Sequence, residues 1–90
     1  MKNQWKWYVY IIECLDGTFY TGCTWSVPAR TEQHMSWLGS KYTGRHGFKR
    51  LVYVEEHLNL NDARRRETQI KDWNQKKKLN LIKGKWKQYW

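Results

Sequence analysis

The stretch YVYIIECLDGTFYTG, residues 8 to 22, carries Tyr8, Tyr10 and Tyr20 and ends on a bare glycine, Gly22. Eight residues further on, Arg30 and His34 stand four positions apart, so a helix would stack them one turn above the other. Downstream, Ala63, Glu67, Ile70 and Asn74 recur at the spacing of one inward helical face, and Glu67 puts a carboxylate where an apolar side chain is expected. A guanidinium offers a planar fork of donors to an oxyanion. An imidazole titrates near neutrality. A phenol, with an ordinary pKa of about 10, ionises poorly there unless a cation lies beside it. Taken singly, strand tyrosines pack, a helix arginine is solvated and a helix glutamate pairs with a basic neighbour. Chemistry requires that they converge.

The elements that would position them are legible. Trp7 to Cys14 and Phe19 to Thr24 are rich in β-branched and aromatic residues, and Leu15-Asp16-Gly17 lies between them, which makes a β-hairpin. A two-residue Asp-Gly turn would pair Leu15 with Thr18 and turn Tyr10 away from Tyr20. A three-residue loop with Gly17 left-handed pairs Cys14 with Thr18 instead. Ile12 then lies opposite Tyr20, and Tyr10 opposite Gly22, on one face. This register is preferred because it brings both rings to the space that Gly22 leaves open. It sends Cys23 to the face opposite Cys14, so the two thiols are read as free, half-buried strand residues. Ser26 is a good N-cap and Pro28 suits a first turn, giving a helix from about Val27 to Leu38 that Gly39 ends. Residues 40–49 read as a polar loop and Arg50 to Glu55 as a third strand. Asn61 or a near neighbour caps a helix to about Trp73, and Lys76 to Ile82 adds a short one.

Ninety residues suffice for one small domain. The formal net charge is +9, from 17 Lys and Arg against 8 Asp and Glu. Residues 1–60 hold seven basic and five acidic groups, while residues 61–90 hold ten and three. Such a field favours a polyanion such as nucleic acid. Neither a signal peptide nor an apolar run of about 18 residues is visible, so a cytoplasmic protein without a membrane partner is expected. Seven Trp, six Tyr and two Phe exceed what so small a core needs, which leaves rings for stacking. Cys14 and Cys23 lack a metal-ligand spacing.

Together these pieces resemble the GIY-YIG nuclease superfamily in its small stand-alone bacterial form, over roughly Trp7 to Ile82. Tyr8-Val9-Tyr10 stands at the first motif, Tyr20-Thr21-Gly22 at the second, and Arg30, His34 and Glu67 at the arginine, histidine and glutamate positions. Lys41-Tyr42-Thr43 recurs in the same subgroup. Tyr8 replaces the first motif's glycine and Thr21 the second's isoleucine. Ala29 stands where many relatives carry an extra arginine, and Trp25 occupies a loop position that is often small and polar.

The resemblance implies an α+β domain, a three-stranded antiparallel sheet flanked by helices in β-β-α-β-α order, over residues 1–82, with 83–90 as a basic, aromatic tail. It implies an endonuclease that hydrolyses phosphodiester bonds in DNA. One divalent cation, Mg²⁺ or Mn²⁺, would be held by Glu67, with Arg30 stabilising the phosphate, Tyr20 positioning water or phosphate, and Tyr10 or His34 as general base. Trp25, Lys41, Tyr42, Arg45, Lys76, Lys77, Lys78 and Trp86 are the expected nucleic-acid contacts. A lone site with surplus rings suits single-stranded DNA. The sequence leaves open RNA as a substrate, a branched- or duplex-DNA nuclease working with a partner or as a homodimer, and a nucleic-acid-binding module without turnover.

Overall fold

The computed structural model describes residues 6–36 and 41–84, apart from the Lys41 side chain. Strands β1 (Trp7–Cys14), β2 (Phe19–Thr24) and β3 (Phe48–His57) form one antiparallel sheet in the order β2-β1-β3, with β2 and β3 as the outer strands among the described residues. Helices α1 (Val27–Met35) and α2 (Lys41–His46) separate β2 from β3, and α3 (Leu60–Lys71) and α4 (Gln75–Ile82) follow β3. This is the expected α+β architecture, with α2 as an unforeseen element.

The hairpin adopts the three-residue loop. The Cys14 amide donates to the Thr18 carbonyl at 2.8 Å, the Gly17 amide donates back to Cys14, and Gly17 takes φ of +86°, a conformation open to a residue without Cβ. Tyr10 therefore pairs with Gly22 and Ile12 with Tyr20.

The central strand is buried on both sides. On one face, Tyr10, Ile12 and Cys14 pack with Tyr20, Tyr42, Phe48, Leu51 and Val54. On the other, Val9, Ile11 and Tyr53 pack against Ala63 and Ile70 of α3 and Leu81 of α4. Both cysteines are free and lie on opposite faces, but Cys14 is fully buried where a half-buried residue was expected.

Several boundaries differ from the sequence expectation. Helix α1 ends at Met35 with Ser36 as its cap, short of Leu38, and residues 37–40, including Gly39, lie outside the described residues. The polar loop holds α2, a six-residue helix that its composition, with Gly44 inside, does not favour. Tertiary contacts hold it: Thr43 bonds to His34, and the Tyr42 ring lies 5.5 Å from the Tyr20 ring. Strand β3 extends beyond Arg50 and Glu55 because its charged ends find partners, Lys49 and Arg50 with Glu13, and Glu56 with Lys6. The cap of α3 is Asn59, which accepts from the Asp62 amide at 2.8 Å, rather than Asn61. Asn74 is not on the α3 stripe: it caps α4, accepting from the Lys77 amide at 2.8 Å.

Helix α3 is pinned to β3 by the buried Glu55. Its carboxylate accepts from Tyr53 at 2.6 Å, from Arg66 Nε at 2.9 Å, and meets His57 Nε2 at 2.6 Å. Burial alone would raise its pKa, but these three partners outweigh it and hold the carboxyl below its ordinary range. That orients α3 and so aims Glu67.

Thr21 is a local flaw. It is buried, and its hydroxyl has no hydrogen-bond partner among the described residues. Thr21→Val removes that cost at nearly constant volume and should stabilise the fold by about 1 kcal/mol, read as a raised urea midpoint with unchanged slope.

Candidate active site

Gly22 decides where the Tyr10 hydroxyl lies. The ring crosses β2 directly over Gly22, so closely that a Cβ there would overlap the hydroxyl and Cζ. The phenol thus lies across β2 although its backbone is in the central strand, and it remains buried. Tyr20 lies beside it, with ring centroids 6.3 Å apart.

Helix α1 closes on this hydroxyl. Arg30 donates from Nε to the Tyr10 oxygen at 3.3 Å, and His34 Nε2 lies 3.0 Å from the same oxygen. His34 Nδ1 is 2.8 Å from Thr43 Oγ1. Since Arg30 donates to the phenolic oxygen, the network is satisfied when the phenol gives its own proton to Nε2 and Nδ1–H donates to Thr43. Burial pushes the His34 pKa down to about 4, with the Arg30 charge acting in the same direction, so the imidazole is neutral at pH 7. Burial likewise pushes Tyr10 up to about 12. The Arg30 hydrogen bond pulls the phenol down, as expected from the sequence, but burial outweighs it. Tyr10 therefore holds its proton and points it at a neutral acceptor.

Glu67 comes from the other side. Helix α3 covers the face opposite Tyr10, and the Glu67 charge is the smallest of the influences that act on the Tyr10 phenol, raising its pKa slightly. Its carboxylate meets Lys71 Nζ, one turn on, at 2.9 Å. Two clefts of about 320 and 350 Å³ adjoin along β2 and share Trp7 and Cys23 as walls. Arg30 lines the first, and Glu67 with Lys71 lines the second. Arg30 and Glu67 thus line adjoining clefts, while Tyr10 and Tyr20 line neither.

The remaining expected residues are dispersed. Trp25 is 55% exposed at the first cleft. Tyr42 joins the ring cluster, 5.5 Å from Tyr20, and Arg45 is exposed beside it. Lys76 and Lys77 are exposed on α4, Lys77 lying 4.7 Å over the Trp73 ring. Lys78 is partly buried, which lowers its pKa, and it lines a hollow with Tyr42. The Lys41 side chain and Trp86 lie outside the described residues. His46 and His57, given no role from the sequence, pair with Asp16 and Glu55. Two residues were missed. Thr43 sat within the noted Lys41-Tyr42-Thr43 run without a role, and Lys71 was foreshadowed only by its spacing of four from Glu67.

A hairpin with two tyrosines, an Arg-His helix against it and a later helix bearing a lone glutamate define a small nuclease-type catalytic domain. Sequence comparison agrees: the GIY-YIG catalytic domain matches residues 6–80, and the chain belongs to the GIY-YIG family. This is a family of nucleases acting on DNA that generally use a divalent metal. The chain is similar to UPF0213 proteins of Staphylococcus aureus strains Mu3 and N315, with 43% identity over 76 residues, 84% of this chain and 93% of each relative. It is also similar to the solution NMR structure of the UPF0213 protein BH0048 from Bacillus halodurans, at 42% identity and a TM-score of 0.56, covering 87% of this chain and 83% of that one.

Among the described residues no three His, Cys, Asp or Glu side chains gather to hold a metal, and no helix is long and apolar enough to cross a membrane. A single carboxylate at the wall of an open cleft still suits a hard cation that keeps most of its waters and takes further oxygens from a phosphate.

Two outcomes test this geometry. The unfolded imidazole takes a proton near pH 6.5 and the folded one only near pH 4, so the unfolded state binds more protons in that window and stability rises with pH across it. Up to about 1.4 kcal/mol per pH unit should come from His34, and His34→Gln should remove that slope in denaturation curves. Gly22→Ala should push the Tyr10 ring off its seat and destabilise by about 1–3 kcal/mol in the same measurement.

Proposed function

We propose that the protein is a metal-dependent endonuclease that hydrolyses DNA phosphodiester bonds, with single-stranded DNA as its substrate. The observation that carries this is the Tyr10 hydroxyl, gripped by Arg30 and His34, with Arg30 lining a cleft that adjoins the one lined by Glu67. Glu67 would hold one divalent cation, Mg²⁺ or Mn²⁺, which when bound neutralises phosphate charge and activates water.

The chain's own groups do the rest. Arg30 has five donors; bonds to Tyr10, Tyr20 and Gln33 Oε1 engage some of them, and the rest orient the scissile phosphate. Tyr10 takes a proton from the attacking water as its own passes to His34 Nε2, with Thr43 keeping the imidazole in the accepting tautomer. Arg30 is also one of the two causes depressing His34, so a phosphate bound at Arg30 would make the imidazole a better acceptor. Tyr20 positions water or phosphate from beside Tyr10. Lys71 compensates the Glu67 charge before substrate arrives.

Single-stranded substrate is favoured by the exposed Trp25, the Tyr42 ring and the basic α4 near one edge, since unpaired bases stack on rings while lysines hold phosphates. One site cuts one strand. Residues 1–82 would be the catalytic unit, and the 83–90 tail would add sequence-independent attraction.

Glu67→Ala should lower Mg²⁺-dependent cleavage by at least about 100-fold while leaving salt-sensitive binding in place. A panel of single-stranded, duplex, flap and RNA substrates identifies the preferred form. If wild-type protein with Mg²⁺ or Mn²⁺ cuts none of them, the endonuclease reading is lost and a binding function replaces it.

A further inference from the structure

Helix α3 carries three consecutive arginines whose surroundings differ. Arg65 pairs with Asp62 at 3.4 Å, and Arg66 with Glu55 at 2.9 Å. Arg64 is exposed on the wall of the Glu67 cleft and has no ion-pair partner among the described residues. Lys71 shares that wall, so two cations flank one carboxylate and the cleft keeps a net positive charge. Further along β2, Lys78 of α4 lines a hollow of about 180 Å³ with Thr18, Phe19, Tyr42 and Gln75. Lys78 too has no ion-pair partner among the described residues, although it is partly buried and feels the like charge of Lys71. A desolvated ammonium beside a second cation is costly, and an anion in the hollow would offset that cost. The hollow has a fixed wall. Gln75 Nε2 donates to the Gly17 carbonyl at 3.0 Å, which ties α4 to the hairpin loop.

We propose that the backbone of the bound strand runs along the outer side of β2, past Arg64 and Lys71, and sets a phosphate in the Lys78 hollow. This rests on the nuclease reading above and names the path that the substrate takes beyond the scissile phosphate. No strand pairs with that side of β2 among the described residues. The Glu67 cleft reaches Cys23, and the Lys78 hollow reaches Phe19, four residues back along β2. At about 3.3 Å per residue the separation is about 13 Å, which an extended strand covers in a few nucleotides. A hollow of about 180 Å³ falls below the usual range of small-ligand pockets and suits a phosphate group, not a whole nucleotide. Contacts of this kind read charge and not sequence.

The test is the salt dependence of binding to a twelve-residue oligothymidylate in EDTA, where no cleavage intervenes. Arg64→Ala and Lys78→Ala should each weaken binding by about three- to tenfold at low salt. Each should also reduce the slope of log K against log[salt] by about 0.7, the value for one phosphate contact on a single strand. Arg65→Ala is the charge-matched control, since it removes the same charge from α3 but lines none of these clefts. It should leave the slope near that of wild type, and Lys78→Arg should keep the wild-type slope as well. If either Arg64→Ala or Lys78→Ala merely matches Arg65→Ala, the path is overturned and the attraction is diffuse. A protein that shows the path but cuts nothing in Mg²⁺ or Mn²⁺ keeps this inference as a binding property and loses the endonuclease reading. One that cuts while both variants match the control does the reverse, so the two failures are told apart.

Discussion

The constraint on which the site depends is the passage of the Tyr10 ring over Gly22. A tyrosine in a central strand would ordinarily end in the core, with its hydroxyl buried among side chains. Here the neighbouring strand lacks a side chain at the paired position, so the ring lies across it and, still buried, sets its hydroxyl against Arg30 and His34 of α1. The hairpin register sets that pairing, and a slip of one residue would send Tyr10 to the other face.

Around that hydroxyl the electrostatics are arranged by burial as much as by charge. Burial keeps both the phenol and the imidazole neutral, while the arginine stays charged beside them. A cation next to a neutral hydrogen-bonded pair leaves one charge unmatched until an anion arrives. A phosphate meets that condition, and by offsetting Arg30 it would alter the acceptor it needs. Thr43 has a part in this because a histidine accepts at Nε2 only if its other nitrogen carries the proton.

The sheet separates the two halves of the site. Tyr10, Tyr20, Arg30 and His34 belong to one face and Glu67 to the helix covering the other. They can cooperate only at the β2 edge, where the two clefts share Trp7 and Cys23. The angle at which α3 lies on the sheet sets where Glu67 stands, and the buried Glu55 cluster, on the face away from the phenol, holds it.

Much of this was legible before any coordinates. The periodicity of β1 and β2, the left-handed demand on Gly17, the Ser26 cap, the first-turn Pro28 and the four-residue step from Arg30 to His34 are local properties, and local steric rules are written in adjacent residues. The sequence by itself determined the hairpin and the α1 face that meets it, while it offered two registers, of which the folded chain adopts the one that sets Tyr10 opposite Gly22. Tertiary structure decided what depends on distant partners. Helix α2 forms against its own propensities because Thr43 reaches His34 and Tyr42 reaches the ring cluster. Asn74 caps α4 instead of lining α3 because α3 ends at Lys71. The phenol stays protonated because burial, which no spacing of charges reveals, outweighs the guanidinium beside it. Spacing along a chain fixes which groups can share a face. How deeply water is excluded from them is a property of everything packed around that face, and only the folded chain sets it.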